Sequence, residues 1–167
     1  MISDGRNRLL KVGVNEDVVS CWQKCYEVYK DQPKDICKPM RNAASIDAAC
    51  QAIYDYMCSN VTYKLDREGD QYIKSPARLI TDGEGDCKSL TMFVACCLHC
   101  CGIKCIVRFV NFDGGRQYTH VYPVAIDEYG NEIPMDMCET ETGFEVSGLP
   151  LYGYARPFVK KKDIIYG

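Results

Sequence analysis

The stretch Gly83–Glu84–Gly85–Asp86–Cys87–Lys88–Ser89–Leu90–Thr91–Met92–Phe93–Val94–Ala95–Cys96–Cys97–Leu98–His99–Cys100–Cys101–Gly102–Ile103 decides the fold. A glycine turn and an acid precede an apolar run, and a glycine ends it. These are start and stop signals for a helix. Its apolar composition predicts a buried helix. Cys87 falls in the first turn, where the helix dipole and the backbone N–H groups favour a thiolate.

Upstream, the sequence is helical. Asn15, followed by Glu16 and Asp17, predicts a capped helix with Val18, Trp22, Cys25 and Tyr29 on one face. Gln32 to Met40 holds Pro33 and Pro39 and reads as a linker. A second helix is predicted from Ser45 to Asn60, with Ile46, Ala49, Cys50, Ile53 and Met57 on one face. Val61 to Leu65 is extended, and Asp66 to Lys74 is loop-like. Ser75–Pro76 starts a short helix that Gly83 must end.

Downstream, strands follow. Ile103 to Phe112 is rich in Val, Ile and Phe. Asp113–Gly114–Gly115 is a turn. Tyr118 to Ile126 is a second strand, which turns through Tyr129–Gly130–Asn131 into a third at Glu132 to Met135. Gly143 onward reads as an irregular wrap, and Lys160–Lys161–Lys162 as a solvated end. Helices followed by a run of antiparallel strands make an α+β fold.

The chain has 167 residues and a net charge of −3. The length fits a single domain over residues 1–167, large enough for a core without disulfide support. The charge argues against a dedicated nucleic-acid binder. No stretch reaches the roughly 18 apolar residues of a membrane span. The 12 cysteines fall just short of a disulfide scaffold's frequency. With no signal-peptide pattern at Met1–Arg8, they are expected as mostly free thiols in a cytoplasmic protein. Those at 21, 25, 50, 58, 96, 97, 100 and 101 follow apolar helical faces and are expected in the core. Cys97-x-x-Cys100 has the spacing of a metal knuckle but no partner knuckle. Cys21, Cys25 or Cys37 would have to supply further ligands. No metal or cofactor is expected.

A thiolate needs a base within reach and a group to orient that base. The chain has two histidines. His99 lies in the helix that Cys87 begins, roughly 18 Å along its axis, and is out of reach. His120 opens a predicted strand, and Asp136 ends the next one. Adjacent antiparallel strands set such residues side by side. Taken singly, each has an ordinary reading: a capped-turn cysteine, a strand histidine, a turn acid. The order Cys87, His120, Asp136 on helix start, strand and next strand is more specific than any member.

That order, with Ile53–Tyr54–Asp55–Tyr56–Met57, Val61–Thr62–Tyr63, Ser75–Pro76–Ala77–Arg78–Leu79–Ile80, Gly102–Ile103–Lys104–Cys105, Thr119–His120–Val121–Tyr122 and Pro134–Met135–Asp136, resembles the transglutaminase-like superfamily. The likeness is to its small bacterial and phage-associated members and covers roughly residues 45–140. It implies a papain-related core, with N-terminal helices and an antiparallel sheet packed on the nucleophile helix. It also implies a Cys–His–Asp triad: Cys87 as nucleophile, His120 as general base and acid, Asp136 as orienting group. The sequence departs from the family where many members carry tryptophan. Tyr122 stands after the histidine, and Ile133–Pro134–Met135 before the aspartate.

The expected reaction is cysteine-dependent acyl transfer on a peptide or isopeptide amide of a protein or peptide substrate, with hydrolysis favoured. The oxyanion candidates are the backbone N–H of Cys87 and the side chain of Tyr63. Gly85, Asp86 and Tyr122 are candidates to line the substrate groove. The alternatives are protein cross-linking, with lysine as acceptor, and a non-catalytic structural protein of a phage or bacterium, virion-associated in the phage case. Oligomeric state is not legible.

Overall fold

The computed structural model describes residues 15–66, 72–111, 114, 118–137 and 160–167. The Asp113–Gly115 turn, most of the loop after Asp66 and the wrap from Gly143 fall wholly or largely outside them. So do the side chains of the proposed cap at Asn15–Asp17.

The helices are α1 (Asn15–Tyr29), α2 (Lys38–Arg41), α3 (Ile46–Asn60), α4 (Pro76–Asp82) and α5 (Cys87–Cys100). The strands are β1 (Thr62–Tyr63), β2 (Glu84–Gly85), β3 (Cys105–Asn111), β4 (His120–Ile126), β5 (Glu132–Pro134) and β6 (Lys160–Tyr166). Four strands form an antiparallel sheet in the order β5-β4-β3-β6, and β1 pairs with β2 in parallel. The observed architecture is the expected α+β arrangement.

Helix α5 is the centre. Every residue from Lys88 to Leu98 is buried, so the helix is covered on all sides, as a core helix must be. One side meets the sheet through Val107, Phe109, Val121 and Ala125. The other meets the helical layer: Phe93 stacks on Tyr56 at 5.7 Å, and the Trp22 indole donates to the Lys88 carbonyl at 3.1 Å. Burying each large apolar side chain here contributes about 1.5–3 kcal/mol.

The local signals acted where expected. The Ser45 hydroxyl accepts from the Ala48 N–H and starts α3. Ser75 accepts from the Arg78 N–H with Pro76 in the first turn, and Gly83 ends α4 at φ +70°.

Four expectations change. The buried face of α1 is Val19, Trp22, Cys25 and Tyr26, while Val18 and Tyr29 are only partly buried, so the helix is rotated slightly from its expected setting. The proline-containing linker is packed: it coils into turns and α2, with Cys37 and Met40 buried. Cys58 is exposed, because α3 turns it away from the core, and Cys21, Cys100 and Cys101 are half-buried. The Lys160–Lys162 end is the start of edge strand β6, paired along β3 from Cys105↔Tyr166 to Asn111↔Lys160. Lysines suit such an edge because they deter further strand pairing.

Candidate active site

The nucleophile candidate is set by the start of α5. Asp86 is extended (φ −94°, ψ −174°), and its carboxylate accepts the N–H groups of Lys88 at 3.0 Å and Ser89 at 3.4 Å. Cys87 is therefore the first helical residue, and it is half-buried. The Asp86 carboxylate also bonds the Lys88 ammonium, which lies 4.0 Å from Asp66. Burial pushes the Asp86 carboxyl up, Cys87 adds to this, and Lys88 offsets part of it. Burial opposes the Lys88 charge, but Asp86 outweighs it and raises that group.

Two proposed groove residues are turned inward. Asp86 is 2% exposed, occupied by its cap and by Lys88. Gly85 is buried, and a Cβ there would lie 2.6 Å from Leu79 Cδ1. The close approach of Leu79 in α4 leaves space only for glycine at this position. The β1–β2 ladder places Tyr63 opposite Gly85, two residues from Cys87, and leaves it half-buried.

The base candidate comes from the sheet. Strands β4 and β5 pair Val124 with Pro134, and the Met135 N–H donates to the Pro123 carbonyl at 2.8 Å. Continuing that register sets Asp136 opposite Tyr122, diagonal to His120 on the same face. The His120 Nε2 lies 2.7 Å from Asp136 Oδ2, with Asp136 4% exposed. His120 also hydrogen-bonds Cys87. Burial disfavours its imidazolium, but Asp136 and Cys87 together outweigh this and lift the ring to about 10. The structure thus brings Cys87, His120 and Asp136 together. His99 stands apart, paired with Asp31 at 3.0 Å.

Tyr122 stacks on His120 with centroids 5.8 Å apart, and the Arg108 guanidinium lies 6.0 Å from the Tyr122 ring. Arg108 makes bidentate hydrogen bonds to both Glu132 (2.9 and 3.1 Å) and Asp163 (2.8 and 3.1 Å). Sequence reasoning missed this network and the role of Lys88. The available signal was a lone charge inside Ile106–Val107–Arg108–Phe109–Val110. Among the described residues, no group of three or more His, Cys, Asp or Glu side chains is arranged to hold a metal ion.

The family model of the transglutaminase-like superfamily matches residues 34–137, well over half the chain. The chain belongs to the transglutaminase-like superfamily. The match starts inside the segment first read as a linker, in keeping with its packed state. Two solved structures share the fold of this transglutaminase-like chain. One is a candidate protease of Parabacteroides distasonis, with TM-score 0.61 and 10% identity over 71% of this chain and 26% of that one. The other is a candidate cysteine protease of Cytophaga hutchinsonii, with TM-score 0.51 and 15% identity over 95% of this chain and 60% of that one. The chain therefore spans less than two thirds of either. No curated protein matches it. Among the described residues, no helix is long and apolar enough to cross a membrane.

Proposed function

We propose that this chain is a cysteine hydrolase acting on peptide or isopeptide amides through Cys87, His120 and Asp136. The observation that carries this is the 2.7 Å His120–Asp136 bond beside the hydrogen bond from His120 to a thiol at a helix start. Asp136 engages Nε2, fixing the ring and supporting its charge. Nδ1 is then the nitrogen that exchanges a proton with Cys87. An imidazolium held to high pH favours the thiolate opposite it. The thiolate attacks the amide carbonyl, and the Cys87 backbone N–H, with Tyr63 as the side-chain candidate, supports the oxyanion. His120 protonates the departing amine, leaving a thioester. Water, deprotonated by His120, then releases the acid and restores the thiolate.

The family name by itself is compatible with amine acceptors as well as water. Hydrolysis is favoured because both structural neighbours bear protease names. The deciding experiment incubates a cell lysate with the wild-type chain and with Cys87→Ala, then compares the two by mass spectrometry. New peptide termini dependent on Cys87 are expected. New lysine-linked isopeptides would replace hydrolysis by cross-linking, and identical lysates would remove the enzymatic reading.

A further inference from the structure

A row of side chains crosses the sheet and ends at the site. Strand β3 pairs Arg108 with Asp163 of β6 on one side and with Tyr122 of β4 on the other. The Val124–Pro134 register and the Met135 N–H bond to the Pro123 carbonyl continue that row to Asp136. Residues directly opposite on antiparallel strands share a face, with Cβ atoms about 4.5–5.5 Å apart. Asp163, Arg108, Tyr122 and Asp136 therefore lie on one face. His120 stands on it too, two residues from Tyr122 along β4.

Contacts join the row. Arg108 donates to Asp163 from Nε at 2.8 Å and from Nη2 at 3.1 Å. It donates to Glu132 of β5 from Nη1 at 3.1 Å and from Nη2 at 2.9 Å. Two forked pairs of this kind fix the plane of the guanidinium. Its carbon lies over the Tyr122 ring, 6.0 Å from the centroid, a cation–π separation. The Tyr122 ring in turn stacks on His120, with centroids 5.8 Å apart and planes 27° from parallel. Tyr122 is only 7% exposed, so its ring is held among these neighbours.

The imidazole needs such a neighbour. The last torsion of a histidine side chain has broad wells, so surrounding groups must set the ring's tilt. Asp136 holds one end of the ring, at Nε2. A flat partner along the face limits rotation about that bond and keeps the other nitrogen aimed at Cys87.

We infer that Tyr122 is a positioning residue for His120, its ring held in place by Arg108 between Glu132 and Asp163. This rests on the Cys87–His120–Asp136 reading above. It gives β6 a part in the site, although Asp163 lies beyond residues 34–137, which match the family model.

The test follows alkylation of Cys87 by iodoacetamide in the full chain, assigned by peptide mapping, and needs no amide substrate. The rate at about pH 6 is divided by the rate at about pH 9. An ordinary thiol is only about 0.3% thiolate at the lower pH, so fast labelling there reports the thiolate–imidazolium pair. The division cancels changes in access to the sulfur, which a merely structural defect would cause. Tyr122→Leu should lower the ratio about three- to tenfold, the range that one ring pair contributes. Tyr122→Phe keeps the stack and should restore it to within about twofold of wild type. Arg108→Lys keeps the charge but loses the fork, and should lower the ratio about twofold. If Tyr122→Leu does not fold, Tyr122→Met takes its place, because a flexible thioether fills the space without a ring. His120→Gln separates the two readings. A ratio that it leaves unchanged would overturn the triad and this assignment with it. A ratio that falls in His120→Gln but is unchanged in Tyr122→Leu, or falls equally in Tyr122→Phe, would overturn the positioning role alone. A wild-type ratio in Arg108→Lys would overturn the part given to Arg108.

Discussion

Cys87, His120 and Asp136 carry predictions that separate chemistry from structure. Under the proposed hydrolysis, Cys87→Ala should abolish amide turnover, read as loss of the new termini expected of wild type. Asp136→Asn removes the charge that supports the imidazolium. By analogy with other triads it should lower kcat by up to about 10⁴-fold. The His120 ring, at about 10, stands above the ordinary histidine value of 6.5. Its stabilising contribution is therefore fully present below about 6.5 and is lost as pH rises toward 10. Melting temperature against pH should fall across that window in wild type, and His120→Gln should flatten this part of the curve. The alkaline limb of kcat/KM should follow the same group, because release of the amine needs a protonated ring.

At the level of elements, the start of α5 bears both a helix cap and a buried charge pair. Asp86→Ala removes the cap to Lys88 and Ser89 and leaves the Lys88 ammonium buried without its nearest carboxylate. A loss of about 3–5 kcal/mol is expected from the broken buried pair, measured by urea unfolding. Gly85→Ala places a Cβ against Leu79 and Ser89. Overpacking of this kind costs about 1–3 kcal/mol, visible as a lower urea midpoint with an unchanged slope. The same substitution shifts the first turn of α5, so labelling of Cys87 by iodoacetamide should slow alongside. The cap signals at Ser45, Ser75 and Asp86 were legible because they act within one helical turn. The packed state of Pro33–Met40 was not, because Cys37 and Met40 are buried only once α5 and α3 lie beside them.

For the molecule as a whole, strand β6 closes one edge of the sheet and supplies Asp163 to Arg108. Deleting residues 160–167 bares the β3 edge and leaves Arg108, 6% exposed, with Glu132 alone. Concentration-dependent association is expected by size-exclusion chromatography, with loss of cooperative thermal unfolding. The lysines at the start of β6 masked this strand in the sequence. Their charge resembles that of a solvated end, and only the partner strand β3 shows that it belongs to a sheet edge. Ile164–Ile165–Tyr166 was the signal that pointed the other way.

The sequence by itself determined the order of elements, the buried helix that Cys87 begins, and the α+β class. Each follows from local periodicity, caps and glycine stops. It also named Cys87, His120 and Asp136, since their positions relative to helix and strands are written along the chain. Only the tertiary structure decided how they meet. The β4–β5 register sets His120 diagonal to Asp136, and the first residue of α5 lies against the ring. It also decided that the buried Asp86 carboxylate bonds Lys88, that Arg108 lies between two carboxylates beside Tyr122, and that Cys37 is buried in the core. These are contacts between residues far apart in the chain, which local propensity does not encode.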